Sequence, residues 1–374
     1  MRIAIIQDNF IYGGRFMVIK EIISILNKKA IIPDLIGFDI QVTPSGVEEK
    51  YGKRLQFNTI QISADYFNKL TEMRKIWLNI WVKLFYQSKY DLVINSNNTS
   101  CLLSGKNILN YIHFPRYERI LNQEYFQTHK KIKLITRIAV KLDYALAGVL
   151  HRFFPPDNSQ RFISNSNFTR SKLSIFKNID NASHRTIYPP SLQLGDISTP
   201  KKENFVASVG RFSETKNQLM QIEIAKNLPE LDFYIIGFTK EENPYFQYCK
   251  KLIRQYNLTN VHILTNLNYH DLMMKLERAK YFLHTTVNEP FGITTVQAIS
   301  KNCIPVVHNS GGQKEIVFFR ELRFENVSEA VSRFKELSEK ELKDHRERLT
   351  ESLENYSSEN FIKTFSLELK QYFK

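Results

Sequence analysis

Apolar runs that fit β-strands alternate with segments of helical periodicity along most of the chain. The first series of runs lies at residues 2–7, 90–95, 107–113 and 161–166. A second series, with a helical pattern between successive runs, lies at residues 205–210, 231–237, 260–264, 280–285 and 303–308. Near-continuous apolar strands separated by helices are typical of parallel sheets that are covered on both faces. The pattern therefore predicts an α/β fold.

The two series are separated by residues 187–204, which are rich in Pro, Ser and Lys and lack periodicity. Such a segment predicts a linker. We therefore expect one α/β domain at residues 1–195 and a second at residues 196–356. Two domains of this kind enclose a cleft, and ligands bind beyond the carboxyl ends of the parallel strands that face it.

The last segment, residues 357–374, predicts an amphipathic helix. Its large apolar residues recur at helical spacing and are Phe361, Phe365, Leu369 and Phe373. A helix of this kind needs an apolar partner. We expect it either to close its own domain or to cross back and pack on the first one.

The composition is that of a globular protein, with 374 residues of which 43% are hydrophobic and 24% are charged. No run of about 18 uncharged apolar residues is present, so no membrane-spanning helix is expected. The N-terminal residues show no signal-peptide pattern. The three cysteines have no metal-ligand spacing, which suits a reducing cytoplasm and predicts neither a disulfide framework nor a metal site.

The formal net charge of +14 indicates an anionic partner. A phosphorylated substrate, an anionic membrane surface or nucleic acid would each account for it, and so would a solvated surface rich in lysine. The sequence has no helix-turn-helix, zinc or RNP-type signature, so nucleic acid is disfavoured. Where the charged residues lie in the sequence decides which of the three explanations applies: a phosphorylated substrate, a membrane surface or simple solvation.

Two junctions between a strand and a helix combine glycine with basic residues. Gly13 and Gly14 follow the first strand, where backbone N–H groups at a helix N-terminus can approach an anion, although a tight turn explains them equally well. The spacing is not GxGxxG, which disfavours a hydride-transfer enzyme.

At the second junction, Gly210 ends a strand, Arg211 follows it and Lys216 lies at a predicted helix start. These two cations predict a diphosphate site that stabilises a leaving group without metal.

The segment VNEPFGITTVQAIS, residues 287–300, predicts a turn followed by a helix. An anion would meet the first N–H groups of this helix and its dipole; they belong to Phe291, Gly292, Ile293 and Thr294. Glu289 precedes them and suits sugar hydroxyls better than a bare phosphate, whereas Gln297 lies about two turns along the helix. The segment therefore predicts a ligand with a diphosphate in its middle and hydroxyls on both sides, which describes a nucleotide sugar.

The sequences GRFSETK (210–216) and NEPFGITTVQA (288–298) together resemble the retaining glycosyltransferases of family 4. Three further segments and the Gly-Gly loop are similar to the same family, so the resemblance covers nearly the whole chain; the segments are SNSNFT (164–169), IYPPS (187–191) and HNSGGQKEIV (308–317). The resemblance implies the GT-B fold, in which two Rossmann-like domains face each other across a cleft. It also implies that the N-terminal domain binds the acceptor and the C-terminal domain the nucleotide sugar.

The resemblance assigns roles to individual residues. It implies that Arg211 and Lys216 bind the donor diphosphate and that Glu289, the first glutamate of an E-x7-E motif, holds the donor hexose. Gln297 stands where the second glutamate, a ribose ligand, usually lies; its carbonyl accepts a hydrogen bond but carries no full charge. The implied transfer uses no divalent metal and no cofactor. The acceptor hydroxyl attacks from the face that the diphosphate leaves, so the anomeric configuration is kept.

His113 ends a strand of the first domain and is followed by Phe114 and Pro115. A histidine at a strand end is more often structural than catalytic. The segment IHFP (112–115), however, is similar to the HYP segment of dolichol-pathway mannosyltransferases. The resemblance implies a positioning or electrostatic role beside the donor sugar, so His113 joins the catalytic candidates.

Two segments of the first domain, residues 72–90 and 128–154, concentrate cations and large apolar side chains. Basic amphipathic helices rich in aromatics suit the plane of an anionic bilayer, although an apolar stripe more commonly faces a core. We therefore expect peripheral association with the cytoplasmic face of a membrane.

Together these features predict a hexose transfer from a nucleotide-diphosphate sugar, with GDP-mannose as the first expectation, to a lipid-linked glycan at a membrane surface. Two alternatives stay open. One is a UDP-sugar-dependent glycosyltransferase with a soluble or polysaccharide acceptor, and the other is a catalytically silent protein that binds nucleotide sugars.

Overall fold

A computed structural model describes residues 1–63, 71–99, 102–114, 134–154, 159–173, 184–198, 201–336 and 338–373. The chain divides into two compact units, of which the first comprises Met1–Pro190 with Asn360–Lys374 and the second Ser191–Glu359. Cys101, Pro115 and the lysines at 130, 131 and 133 lie outside the described residues.

The first unit is built on a parallel sheet. Its strands are β1 (Ile3–Ile6), β3 (Asp34–Gly37), β5 (Asn58–Gln61), β6 (Leu92–Asn95), β7 (Ile108–Ile112), β8 (Arg161–Ser164) and β9 (His184–Thr186). Within the described residues these seven strands follow the order β5-β3-β1-β6-β7-β8-β9. Ile5 of β1 pairs with Leu35 on one side and Ile94 on the other. The central strands are fully buried, as the near-continuous apolar runs predicted.

Helices cover the sheet of the first unit, and their bounds are α1 (Gly14–Asn27), α2 (Pro44–Tyr51), α3 (Thr71–Trp81), α4 (Leu134–Phe153) and α5 (Asn167–Leu173). A short parallel pair, β2 (Asn9–Phe10) with β4 (Asp39–Ile40), lies beside the main sheet. The helix α3 continues as a π-helix at Val82–Tyr86 and a short 3-10 turn at Gln87–Lys89.

The second unit also has a parallel sheet. Its strands are β10 (Glu203–Val209), β11 (Asp232–Gly237), β12 (Val261–Thr265), β13 (Ala279–His284), β14 (Ile304–His308) and β15 (Arg323–Phe324). The six described strands follow the order β12-β11-β10-β13-β14-β15. The helices are α6 (Gln218–Lys226), α7 (Pro244–Gln255), α8 (Tyr269–Arg278), α9 (Ile293–Ser300), α10 (Gln313–Ile316), α11 (Val327–Glu336) and α12 (Glu339–Glu351).

The final helix, α13 (Ser358–Leu369), packs on the first unit. Its apolar face places Phe361, Phe365 and Leu369 in one buried cluster with residues of β1 and α1. The ring of Tyr111 lies 6.1 Å from that of Phe361, and Phe361 stacks on Phe365 at 5.3 Å. Of the two positions expected for this helix, the one on the first domain is confirmed.

Candidate functional site

A buried network fixes the loop that carries Lys216 in the second unit. The Ser208 hydroxyl donates to Gln221 Oε1 at 2.6 Å, and Gln221 Nε2 donates to the Thr285 hydroxyl at 3.0 Å. The Thr285 hydroxyl in turn donates to the carbonyl oxygen of Lys216 at 3.0 Å. The three side chains are buried, so the loop after β10 is held against the end of β13.

Lys216 forms an ion pair with Glu289 within the second unit. Its Nζ lies 2.6 Å from Glu289 Oε2, and the two side chains are 26% and 16% exposed. The Nε2 atom of buried His284 lies 3.8 Å from the same carboxylate oxygen. Burial lowers the pKa of His284 to about 4, against the opposing effect of Glu289, so the ring is neutral at physiological pH. Its Nδ1 atom is buried and has no hydrogen-bond partner among the described residues.

The loop at 288–292 is pressed against the loop at 310–313. The Gly312 N–H donates to the Glu289 carbonyl oxygen at 2.8 Å, and the Asn288 N–H donates to the Ser310 hydroxyl at 2.7 Å. A Cβ on Gly311, whose φ is +68°, would collide with the backbone of Glu289, and one on Gly312 would collide with that of Pro290. These glycines therefore permit the close approach that orients Glu289.

The helix α9 begins after Gly292, as predicted, with Gly292 as N-cap at φ 117°. The N–H groups of Thr295 and Val296 donate to the Gly292 carbonyl, so those of Ile293 and Thr294 are the first-turn donors that remain for an anion. The Phe291 ring is buried and packs edge-on against Tyr356 at 5.5 Å. Phe291 can therefore offer only its backbone to a ligand.

Two further candidates of the second unit lie beside this arrangement. Arg211 is exposed on the loop that carries Lys216, and Gln218 Nε2 donates to its carbonyl oxygen at 3.0 Å. Gln297 is half-buried in the second turn of α9. The second unit thus groups a cation, a carboxylate and a helix N-terminus, with Arg211 and Gln297 on the same elements.

His113 belongs to a buried polar network in the first unit. The Ser96 hydroxyl lies 2.9 Å from His113 Nε2 and donates to Gln7 Oε1 at 3.0 Å. Asn98 Oδ1 accepts from the His113 N–H at 2.7 Å. Burial, aided by the Arg15 charge and opposed by Asp8, holds the pKa of His113 well below its usual value. The Ser96 proton is directed to Gln7, so His113 Nε2 carries the hydrogen in this network and Nδ1 is left as an acceptor.

Gly13 and Gly14 adjoin the same network. Gly13 is the N-cap of α1 and Gly14 its first residue, and the space around a Cβ on Gly13 is open. Next to them, Arg15 Nη2 donates to Asp8 Oδ1 at 2.7 Å and to the Ser96 carbonyl at 3.2 Å. Asp8, Arg15 and Ser96 were not predicted from the sequence. The signal for them was available, because Asp8 and Ser96 directly follow apolar strand runs.

The described residues contain no group of three or more His, Cys, Asp or Glu side chains that could hold a metal ion. Among the described helices, none has the length and apolar character that a bilayer crossing requires.

Comparison with known proteins defines the class of fold. The chain is similar to sucrose-phosphate synthase from Thermosynechococcus elongatus, with a TM-score of 0.74, 14% identity and coverage of 100% of this chain and 99% of the other. A structure of Anabaena HepE in complex with UDP and glucose gives a TM-score of 0.71 at 16% identity, with 99% of both chains covered. The fold is therefore GT-B, with two Rossmann-like units, as predicted.

Residues 193–356 match the family Glycosyl transferases group 1. The chain is 23% identical over 314 residues to the GDP-Man:Man(3)GlcNAc(2)-PP-Dol alpha-1,2-mannosyltransferase of Homo sapiens. The alignment covers 73% of this chain and 62% of that protein. The chain thus spans less than two thirds of the length of this relative. Residues 193–356 thus carry the match to the group 1 glycosyltransferases, and the family predicted from GRFSETK and NEPFGITTVQA is confirmed for this segment.

Proposed function

We propose that the chain transfers a hexose, with mannose from GDP-mannose as the first candidate, to a hydroxyl of a lipid-linked glycan at the cytoplasmic face of a membrane. The observation that carries the proposal is the Lys216–Glu289 pair, whose Nζ and Oε2 atoms lie 2.6 Å apart beside the N-terminus of α9. A cation, a carboxylate and free helix N–H groups are the set that a sugar joined to a diphosphate requires.

The ion pair does not have to break when the donor binds. An ammonium group has three hydrogens, so Lys216 can keep its contact with Glu289 and still donate to a phosphate oxygen. The Glu289 carboxylate likewise has further lone pairs, which can accept hydrogen bonds from hexose hydroxyls. In this assignment Lys216 bridges the carboxylate that holds the sugar and the phosphate that leaves it.

Departure of the diphosphate places negative charge on its oxygens, and fixed donors stabilise it. We assign this role to Lys216, to the exposed guanidinium of Arg211 and to the N–H groups of Ile293 and Thr294. The acceptor hydroxyl then attacks the oxocarbenium-like carbon from the face that the diphosphate leaves and passes its proton to an oxygen of that diphosphate, which keeps the anomeric configuration. No side chain is assigned as an enzyme nucleophile.

We assign His113 to the donor sugar, with Gly13 and Gly14 as further ligand-binding positions of the first unit. The low pKa of His113 keeps its ring neutral. A neutral ring can accept a hydrogen bond from a sugar hydroxyl through Nδ1 without placing a positive charge near a carbon that itself becomes positive.

The identity of donor and acceptor rests on the relatives. The human relative is named for a GDP-mannose donor and a dolichol-linked glycan, which supports mannose and a lipid-linked acceptor. The HepE structure contains UDP and glucose, and it supports the alternative of a UDP-sugar donor. Gln297 in place of a glutamate motivates the third possibility, a protein that binds nucleotide sugars without turnover.

A thermal-shift panel of nucleotide sugars tests the proposal, because a ligand that binds only the folded chain raises Tm. We expect GDP-mannose to raise Tm more than UDP-glucose, UDP-N-acetylglucosamine or GDP alone, and the Lys216→Ala variant to lose the shift. Lys363, an exposed lysine of α13, provides the control variant Lys363→Ala. A panel without any stabilising nucleotide sugar would refute the proposal. Stabilisation without transfer or donor hydrolysis would favour the silent binding protein.

A further inference from the structure

The helix α4 has an inner face that packs on α3. Asp143 and Ala147 are buried there, and Ala147 clusters with Ile76 of α3. The Met73 N–H donates to Asp143 Oδ1 at 2.8 Å. These contacts fix the rotation of α4 about its axis and therefore decide which side chains point away from the unit.

The opposite face of α4 is apolar and exposed. Five large apolar residues lie on it at spacings of four, four, three and four, with exposed fractions of 49%, 58%, 52%, 51% and 72%; they are Ile138, Leu142, Leu146, Val149 and Phe153. Such spacing places them on one side of the helix, and we call them the α4 stripe. A contiguous apolar surface of this length on a globular protein indicates an interaction site.

The charges around the α4 stripe are positive. Lys141 and Arg152 are exposed, and helix geometry places both on the same flank of the stripe. The acidic residue of α4, Asp143, lies on the inner face. In the sequence, three lysines at 130, 131 and 133 precede the helix. An apolar stripe flanked by exposed cations, on a helix whose one carboxylate faces inward, complements an anionic lipid surface.

The segment at 72–90, which the sequence also offered as a membrane surface, differs from α4. Trp77 and Trp81 pack against the core of the first unit, and Lys75 is buried. Most of that apolar stripe therefore faces the sheet, while Leu84 and Phe85 beyond it are exposed. The more extended exposed surface is the α4 stripe.

We propose that the α4 stripe inserts into the interfacial plane of an anionic bilayer, with Lys141 and Arg152 against lipid phosphates. The biological reason for this contact, access to a lipid-linked acceptor, rests on the proposed function. The binding itself requires neither donor nor acceptor. A bilayer is favoured over a second copy of the chain because two copies that met along this flank would bring their cations together.

Vesicle co-sedimentation of the full chain tests the proposal without any sugar substrate. The probes are vesicles of phosphatidylcholine alone and vesicles with phosphatidylcholine and phosphatidylglycerol in equal parts. We expect binding to the anionic vesicles that weakens with salt. The variant Leu142→Asp/Leu146→Asp should reduce this binding by about tenfold or more, and Lys141→Glu/Arg152→Glu should reduce it on anionic vesicles.

Matched controls lie on α13 of the same unit. Leu367 is 54% exposed, and Leu367→Asp should leave vesicle binding unchanged, as should Lys363→Glu. Circular dichroism and Tm check that each variant is folded. The nucleotide-sugar thermal shift, measured on the same variants, should persist, so a failure of donor binding is distinguishable from a failure of vesicle binding.

Three outcomes would overturn the proposal. The first is a wild-type chain that ignores anionic vesicles at low salt. The second is a folded Leu142→Asp/Leu146→Asp variant that binds them as well as the wild type. The third is light scattering that shows a lipid-free dimer which this variant converts to a monomer while vesicle binding is unchanged. That result would assign the stripe to a second copy of the chain.

Discussion

Lys216 and Glu289 are 73 residues apart in the sequence, yet their Nζ and Oε2 atoms lie 2.6 Å apart in the second unit. The lysine lies after β10 and the glutamate after the neighbouring strand β13, so the parallel sheet brings both to one edge. Neither loop needs the ion pair for its fold, because the Thr285 network and Gly312 already hold them. We therefore propose that the pair serves a bound ligand rather than the fold.

We expect Lys216→Ala and Glu289→Gln each to lower kcat/KM by about a hundredfold or more, because in the proposed function each removes a group that acts on the leaving diphosphate or the hexose. Their combined loss should be smaller than the product of the single losses, since the residues act as a unit. Steady-state kinetics with the best donor measures this.

The exposed pair Lys250–Glu241, with the same 2.6 Å separation in the same unit, is the matched control. Lys250→Ala should leave kcat/KM unchanged, and neither lysine variant should change the free energy of unfolding by more than about 1 kcal/mol. A Lys216→Ala variant of full activity would remove Lys216 from the site.

Gln297 offers a gain-of-affinity test. If the second turn of α9 faces the ribose, Gln297→Glu supplies a charged acceptor in place of a neutral one, and charge-assisted hydrogen bonds are about twice as strong. We expect the Kd of the donor to fall by about threefold to tenfold in isothermal titration calorimetry. Weaker binding would mean that Gln297 contacts something other than the hydroxyls.

Substitution of Gly311 is expected to lower the stability of the second unit. Its φ of +68° is unfavourable for other residues, and a Cβ would meet the backbone of Glu289. Gly311→Ala should cost about 1–3 kcal/mol of unfolding free energy in urea titrations and should also weaken donor binding by moving Glu289. Gly195→Ala, where a Cβ meets open space, should be close to neutral. Equal stability of the two variants would contradict the close packing of the loops.

The docking of α13 on the first unit gives a stability prediction far from the site. Phe365 is fully buried in the cluster shared with α1, so Phe365→Ala should cost about 3–5 kcal/mol. Leu367→Ala, on the exposed side of the same helix, should change the free energy by less than about 0.5 kcal/mol. Urea titrations of the full chain measure both. Similar midpoints for the two variants would show that α13 contributes little to the first unit.

The sequence allowed most of the central strands to be predicted, because both faces of each are buried and the apolar run is continuous. The inner strand Asp34–Gly37 was missed because its apolar run is only two residues long. The predicted run at 303–308, for example, is Ile304–His308 in the structure. The edge strand Asn58–Gln61 was missed because most of its residues are exposed, and Arg323–Phe324 because two residues form no pattern. Strands at the edges of a sheet are short or partly exposed, so their sequences show little hydrophobic pattern.

For the candidate site, the sequence showed residue types at strand ends but not their partners. Lys216 and Glu289 were each found, yet their contact depends on which strands are neighbours, and no local spacing gives that. Gly311 was part of a family segment without a stated reason, and the collision with Glu289 supplies one. His284 was missed because a histidine inside an apolar strand looks like a core residue until the nearby carboxylate is seen.

That histidine gives a dependence of stability on pH. Its pKa is about 4 in the folded chain and 6.5 ordinarily. Between these pH values the unfolded chain binds a proton that the folded chain does not. The contribution of neutral His284 to the free energy of unfolding is therefore fully present above pH 6.5 and is lost as the pH falls toward 4. On going from pH 7 to pH 5 the loss is about 2 kcal/mol.

Urea titrations at the two pH values should therefore show a smaller difference in the free energy of unfolding for His284→Asn than for the wild type. The exposed His270 provides the control variant His270→Asn, which should keep the wild-type difference. An unchanged difference in His284→Asn would mean that the ring is protonated inside the fold, in which case it forms a charged contact with Glu289 and competes with Lys216 for the carboxylate.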